Sequence, residues 1–219
     1  MENTRLLKLL RTLSKTELQG LKKFVRTPFF NQRSEVPALL DWLLASLKND
    51  RAAFDKTLAY KQVFDSENYD DHRVRMAMSF LYQITGQYLA VQSFLNNGVA
   101  YRKQLAAVFR ERRLPEQAEK VCNEAIDLQQ QISLRNADFM EERYQLLLEK
   151  HRLNVEIQRV DQEDLQAQSD QLDHAFLARK LWQACAMLSH RNVSNATYEF
   201  GFLDAVLRHA EQSDVLKKP

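Results

Sequence analysis

The chain has 219 residues, with 31 Lys and Arg against 29 Asp and Glu, and only four Gly and four Pro. The formal net charge of +2 is small for this size, so the whole molecule has no strong attraction to nucleic acid or an anionic membrane. So few turn-forming residues favour long helices with short connections. They also leave no GxGxxG or GxxxxGK[ST] loop for a nucleotide phosphate. We expect an all-α protein that carries no cofactor.

The N-terminal stretch MENTRLLKLLRTL has apolar runs of two residues, which are too short for a secretory signal or a membrane span. Cys122 and Cys185 both lie within apolar helical patterns, and we expect two buried thiols rather than a disulfide. These features predict a cytoplasmic protein without membrane contact.

Five helices are predicted in the first 97 residues, which we expect to form an N-terminal helical bundle. Ser14 and Glu17 have the spacing of a capping box, which begins the second helix. Phe29 and Phe30 are predicted to fill the corner after it. The fifth helix is apolar around much of its surface and should be buried on several sides, and Gly98 is predicted to end it. The predicted ranges are 2–13, 15–26, 35–47, 55–64 and 72–95.

Residues 99–126 predict two helices folded against each other about the turn at Arg113–Pro115. One face of the first helix is apolar, and Pro115 suits the first turn of the second because it has no amide hydrogen to lose. The small side chains of Ala106, Ala118 and Ala125 would let the two helix axes approach closely. This pattern is typical of one helical hairpin.

The hairpin resembles a tetratricopeptide repeat, a helix-turn-helix unit of 34 residues. Two positions depart from the family pattern: Arg102 replaces an aromatic residue, and Gln130 replaces the closing proline. The resemblance implies a short α-α superhelix over residues 98–219. The matching positions are Leu105, Ala106, Phe109, Ala118, Cys122 and Ala125.

Three further helices are predicted at 137–157, 176–190 and 198–210, and residues 161–173 could be either a loop or a solvated helix. The last helix has a full apolar stripe, so we expect that the native chain continues beyond Pro219 and covers it. The stretches LSKTELQGLKKFVRTPFFN and LARKLWQACAMLSHRN also resemble the N-terminal part of longer, uncharacterised bacterial helical-repeat proteins. That resemblance implies no active site.

One face of the first repeat-like helix carries Lys103, Ala107 and Arg110, which stand opposite its apolar face. In tetratricopeptide repeats the corresponding inner face grips extended peptides, so the resemblance implies that the two cations hold a carboxylate of a partner. The sequence therefore predicts a non-catalytic scaffold that binds a protein or peptide. The partner's identity and the oligomeric state stay open.

The alternative is a regulatory module that binds nucleic acid through its N-terminal helices. The first 33 residues carry eight Lys or Arg against two Glu. Such cations could contact phosphates while aromatic rings stack on bases, although a solvated helix face explains the same pattern. The candidate residues are Lys15, Lys22, Lys23 and Arg26, with Phe24, Phe29 and Phe30 nearby.

Catalysis and metal binding have little support in the sequence. Neither HExxH nor paired CxxC occurs among the five histidines and two cysteines, so no metal site is predicted. Ser189 and His190 are adjacent, and on a helix they point about 100° apart, which prevents a nucleophile-base pair. We therefore expect that the protein is not an enzyme.

Overall fold

The computed structural model describes residues 4–48, 56–64, 68–160 and 162–212. Every regular element within these ranges is an α-helix and none is a strand, which confirms the all-α prediction. No helix in these ranges is both long and apolar enough to cross a membrane. The helices are α1 (Arg5–Thr12), α2 (Lys15–Phe24), α3 (Glu35–Lys48), α4 (Lys56–Phe64), α5 (Asp71–Asn96), α6 (Gly98–Glu111), α7 (Pro115–Gln130), α8 (Ala137–Glu156), α9 (Gln162–Val193) and α10 (Leu203–Gln212).

The chain divides into two compact units, Met1–Leu95 and Asn96–Pro219. The helix starts that the sequence predicts at Glu2 and Asp55 lie outside the described residues.

The first unit begins with two capped helices. The capping box before α2 is present: the Glu17 amide donates to Ser14 Oγ at 3.2 Å, and the Ser14 amide donates to Glu17 Oε2 at 2.7 Å. Hydrogen bonds that the Glu17 carboxylate accepts from the side chain and the backbone amide of Ser14 lower the pKa of that carboxyl. The box satisfies two amides that have no partner within the helix, which fixes where α2 starts.

The core of the first unit is formed by apolar side chains of α1 to α5. The prediction that α5 is buried on several sides is only partly right, because Ser79, Tyr82 and Gly86 lie on an exposed face. Phe29 was expected to fill a corner, and instead it is 86% exposed. Phe30, not Phe29, turns inward and stacks on Phe24 at 4.0 Å. The fully buried core residues include Leu7, Leu21, Val25, Val36, Leu40, Leu43 and Leu81.

The second unit opens with the hairpin of α6 and α7. Gly98 does not end a helix as predicted: Asn97 caps α6 by accepting from the Ala100 amide at 3.0 Å, and Gly98 is the first residue of that helix. Asn97 occupies the N-cap position because its side-chain oxygen accepts a hydrogen bond from an amide in the first turn of the new helix. Pro115 stands at the start of α7, as the sequence predicts.

Two helices of this unit end on a non-glycine residue with left-handed backbone, Arg113 after α6 and Gln158 after α8. In each case the next amide bonds back five residues, from Leu114 to the Phe109 carbonyl at 3.0 Å and from Arg159 to the Asn154 carbonyl at 2.8 Å. Both are Schellman motifs, which satisfy carbonyls at a helix end.

Helices α6 to α9 pack successively, and α8 contacts both α6 and α7. Val99, Ala125 and Leu146 form a buried cluster in this unit. Residues 162–173, for which the sequence allows a loop or a helix, are the first turns of α9. The final helix, α10, packs on α9.

Helix α9 is 32 residues long, against 20 for α8. The Arg179 guanidinium contacts Asp138 and Glu141 in the first turns of α8, so the antiparallel α9 continues past that end of α8 for about 20 Å. Beyond Arg179 the cover that α8 gives ends, and burial depends on the face of α9: Ala184 is still buried, whereas Trp182 is 61% exposed. For the same reason Cys185 is exposed and not buried as predicted, whereas Cys122 is buried.

Candidate functional site

The residues of α6 that the sequence predicts to bind a peptide lie against α8. Arg110 donates from Nε to Glu149 Oε1 at 2.7 Å and from Nη1 to Glu156 Oε1 at 3.0 Å. Its side chain is only 15% exposed, and that of Glu149 is 6% exposed. The hydrogen bond with Glu149, and more weakly the one with Glu156, raises the pKa of Arg110 against the opposing effect of burial. Arg110 therefore serves helix packing, contrary to its predicted place on an unpacked face.

Lys103 stands seven residues before Arg110 and faces an earlier acid of α8. Burial raises the pKa of the Glu142 carboxyl, and the charge of Lys103 partly opposes that shift. The acids Glu142, Glu149 and Glu156 follow one another at intervals of seven, which matches the spacing of the two cations. Lys103 and Ala107 are half-buried. This arrangement uses the two cations within the fold, and their role toward a partner stays a prediction.

The basic residues of the N-terminal helices are partly used within the fold as well. Lys22 Nζ lies 2.9 Å from Asp41 Oδ1, and Arg26 also contacts the Asp41 carboxylate. Lys15 and Lys23 are exposed. The ring of Phe24 belongs to the core, as the solvated-face explanation requires, while Phe29 extends into solvent.

An open apolar groove lies between α9 and α10, with a volume of about 460 Å³. Its floor is buried, since Leu177 is 9% and Val206 4% exposed. Its walls are exposed aromatic rings, with Phe176 at 51% and Phe202 at 75%. The remaining lining residues are Asp173, Ala205 and His209.

The groove exists because of how the chain returns along α9. The return passes through Gly201, whose φ of 56° favours glycine, and the short α10 then packs on α9. Asp173, Phe176 and Leu177 occupy one face of α9 through their i, i+3 and i+4 spacing. The result is a concave apolar surface with a single carboxylate on its wall, which suits an apolar side chain of a ligand.

A second, more polar depression of about 660 Å³ lies where α6 and α8 end. Its lining mixes cations and acids, and the Arg110 charge there is already offset by Glu149 and Glu156. It therefore offers less uncompensated charge than its composition suggests. The lining residues are Arg110, Glu111, Arg113, Pro115, Glu156 and Ile157.

His190 has two hydroxyl neighbours that sequence spacing did not single out. Ser194 Oγ lies 3.0 Å and the Tyr198 hydroxyl 2.6 Å from His190 Nδ1, and Ser194 also donates to the His190 carbonyl at 2.8 Å. All of these contacts are at the exposed carboxyl end of α9, where they close the helix. Such a surface lacks the enclosed, dry setting in which catalytic dipoles become strong.

Within the described ranges no group of three or more His, Cys, Asp and Glu is arranged to hold a metal ion. The His and Cys residues therefore define no candidate metal centre there.

Comparison with protein-family models, curated proteins and solved structures finds no match for the chain. Its function must therefore be inferred from its own residues. The sequence did not predict the groove between α9 and α10, although the apolar stripe of the last helix was a signal for it.

Proposed function

We propose that this protein is a non-catalytic, cytoplasmic interaction scaffold that binds a protein or peptide partner. The observation that carries the proposal is the groove between α9 and α10, where Phe176 and Phe202 expose more than half of their surface beside a buried apolar floor. Exposed apolar surface of this kind is typical of a docking site. Aromatic anchors also contribute much of the binding energy at interfaces.

The proposal includes a tetratricopeptide-like arrangement of the second unit. It is supported by the hairpin of α6 and α7, by the buried Ala106, Ala118 and Ala125 within it, and by the packing of α8 on both of its helices. In this arrangement successive helix pairs would extend a concave surface.

The binding surface differs from the one that the sequence suggested. Arg110 is held by two carboxylates, so gripping a partner there would first require displacing Glu156. The groove on α9 and α10 requires no such displacement, because its walls are already exposed. We therefore place the primary contact at the groove and keep Lys103, Ala107 and Arg110 as a secondary one.

A selection experiment tests the proposal. Peptides displayed on phage and selected on the full chain are expected to bind it, and to bind a Phe202→Asp variant at least ten-fold more weakly, since that variant places a charge on the groove wall. The matched control is Phe29→Asp, the same change at another exposed Phe, which should leave binding unchanged. Failure to select any binder, or binders indifferent to Phe202→Asp, would contradict the proposal.

A second function, binding of nucleic acid, is favoured by one observation. Phe29 is 86% exposed and follows closely after Lys23 and Arg26, so a ring is available to stack on a base near cations. Retardation of a single-stranded oligonucleotide that weakens with salt and is lost in Phe29→Ala would support this function. Absence of retardation at low salt would rule it out.

A further inference from the structure

The charges around the groove are unevenly distributed along α9. Between Gln162 and Ala178 the helix has four acids and no Lys or Arg. Asp173 lies on the groove wall, and Asp170 stands one turn before it, with both side chains exposed. The amino-terminal end of the groove is therefore negative.

At the other end of the groove acids and cations occur together, since the exposed Asp204 stands between the lining residues Phe202 and Ala205. The Lys180 ammonium lies beside Gly201, 3.8 Å from where a Cβ of that residue would stand. The Arg191 guanidinium, 11 residues further along α9 and outside the residues that line the groove, approaches the Phe200 ring at 6.0 Å. A ligand that spans the groove thus meets the carboxylates of α9 at one end and charges of both signs at the other.

We infer that the groove takes a peptide segment with a bulky apolar side chain and Lys or Arg on one flank, and that this basic flank points toward the amino end of α9. The inference rests on the proposed function, because it names the partner that the same groove would accept. The apolar side chain enters between Phe176 and Phe202, and the basic flank reaches Asp170 and Asp173. Opposite charges at the rim select and orient such a partner more than they hold it.

Exposed ion pairs are individually weak, so a modest preference is expected. We compare two fluorescein-labelled synthetic helical peptides with the same Leu and Phe face and with either Lys or Glu at their flanking positions. Fluorescence anisotropy with the full chain should give an affinity roughly ten-fold higher for the Lys peptide at low salt, and the ratio should shrink with added salt.

Variants of the acids locate the effect. Asp170→Asn combined with Asp173→Asn should bring the two peptides to within about two-fold of each other, since both carboxylates are then neutral. The matched control is Glu116→Gln with Asp127→Asn, which removes two exposed acids of α7 in the same unit and should leave the ratio unchanged. A photoreactive group at the basic end of the Lys peptide should cross-link to residues 162–173.

The outcomes distinguish failure of the charge inference from failure of the groove proposal. The charge inference is wrong if both peptides bind with equal affinity, or if the Asp substitutions leave their affinities unchanged. It is also wrong if the basic end of the Lys peptide cross-links to residues 180–200. In each of these cases the groove proposal stands. If neither peptide binds, both fail. If the Lys peptide is preferred and Phe202→Asp removes its binding, both are supported.

Discussion

Arg110 and Glu149, 39 residues apart in the chain, form an ion pair at 2.7 Å between α6 and α8, with both side chains largely withdrawn from water. Two charges taken out of water cost desolvation free energy, which is offset by their mutual contact and by the further ion pairs of Arg110 with Glu156 and of Glu149 with Arg152. The pair therefore specifies how α6 and α8 pack more than it adds net stability.

Replacing Arg110 with Met should lower the free energy of unfolding by about 3 kcal/mol, because the buried Glu149 carboxylate loses its main partner. Urea denaturation followed by circular dichroism would measure it. The double variant Arg110→Met with Glu149→Leu should recover most of the loss. Arg102→Met is the control, since its pair with Glu124 is exposed and worth less than about 1 kcal/mol. Equal losses for Arg102 and Arg110 variants would contradict the prediction.

Two helical glycines of the first unit should respond in opposite directions to alanine. A Cβ at Gly20 would lie 2.2 Å from the hydroxyl oxygen of Tyr88, which is buried, whereas a Cβ at Gly86 would meet nothing within 4 Å. Gly86→Ala should stabilise by roughly 0.5 to 1 kcal/mol through helix propensity. Gly20→Ala should destabilise by about 1 to 3 kcal/mol through overpacking. Thermal unfolding of both variants decides this, and a stabilised Gly20→Ala would show that Tyr88 can move aside.

Arg113 and Gln158 end their helices in the left-handed conformation, with φ of 58° and 55°. Glycine adopts that conformation without the Cβ penalty, so Arg113→Gly and Gln158→Gly should each stabilise by about 0.5 to 1 kcal/mol. The neighbouring Arg112 has φ of −87°, so Arg112→Gly should destabilise instead. Urea midpoints of the three variants would test the contrast, and a common direction for Arg112 and Arg113 would contradict it.

The two cysteines should differ in reactivity. Burial raises the pKa of the Cys122 thiol to about 11, with a smaller contribution from the charge of Glu149, while Cys185 is exposed. The thiolate is the reactive form. At pH 8 iodoacetamide should therefore label Cys185 alone in the folded chain, and both cysteines in urea. Mass spectrometry of the intact protein would measure the adducts, and rapid double labelling of the native protein would contradict the burial of Cys122.

The same shift predicts a loss of stability in alkali. The folded-state pKa of Cys122 lies above its ordinary value of 9.0, so the unfolded chain releases the proton first as pH rises. The contribution is complete below about pH 9 and falls by about 2 kcal/mol by pH 11. Cys122→Ala should remove this part of the alkaline slope, and Cys185→Ser should not. An unchanged slope in Cys122→Ala would show that other groups cause it.

Local features of the fold could be predicted from the sequence. The capping box of Ser14 and Glu17 and the place of Pro115 depend only on residues within one helical turn, and both are present. Gly98 shows the limit of such reasoning, because a glycine suits the end of one helix and the start of the next. The side-chain acceptor of Asn97 places Gly98 at the start of α6 instead of at the end of α5.

Burial along a single helix was less predictable. The apolar pattern placed Cys185 inside, yet α8 begins too late to cover that part of α9. The same pattern gave Phe29 a place in a corner that Phe30 occupies. In both cases the deciding fact is the length or position of another segment, which periodicity within one segment does not encode.

The amino-acid sequence alone determined that this protein is helical, because the spacing of its apolar residues, its caps and its shortage of Gly and Pro act within a few residues of each other. Only the tertiary structure decided that Arg110 is held by Glu149, and that Phe176 and Phe202 meet across an open groove. Those pairings join residues that are far apart in the chain. They depend on which helix packs against which and how far each helix extends.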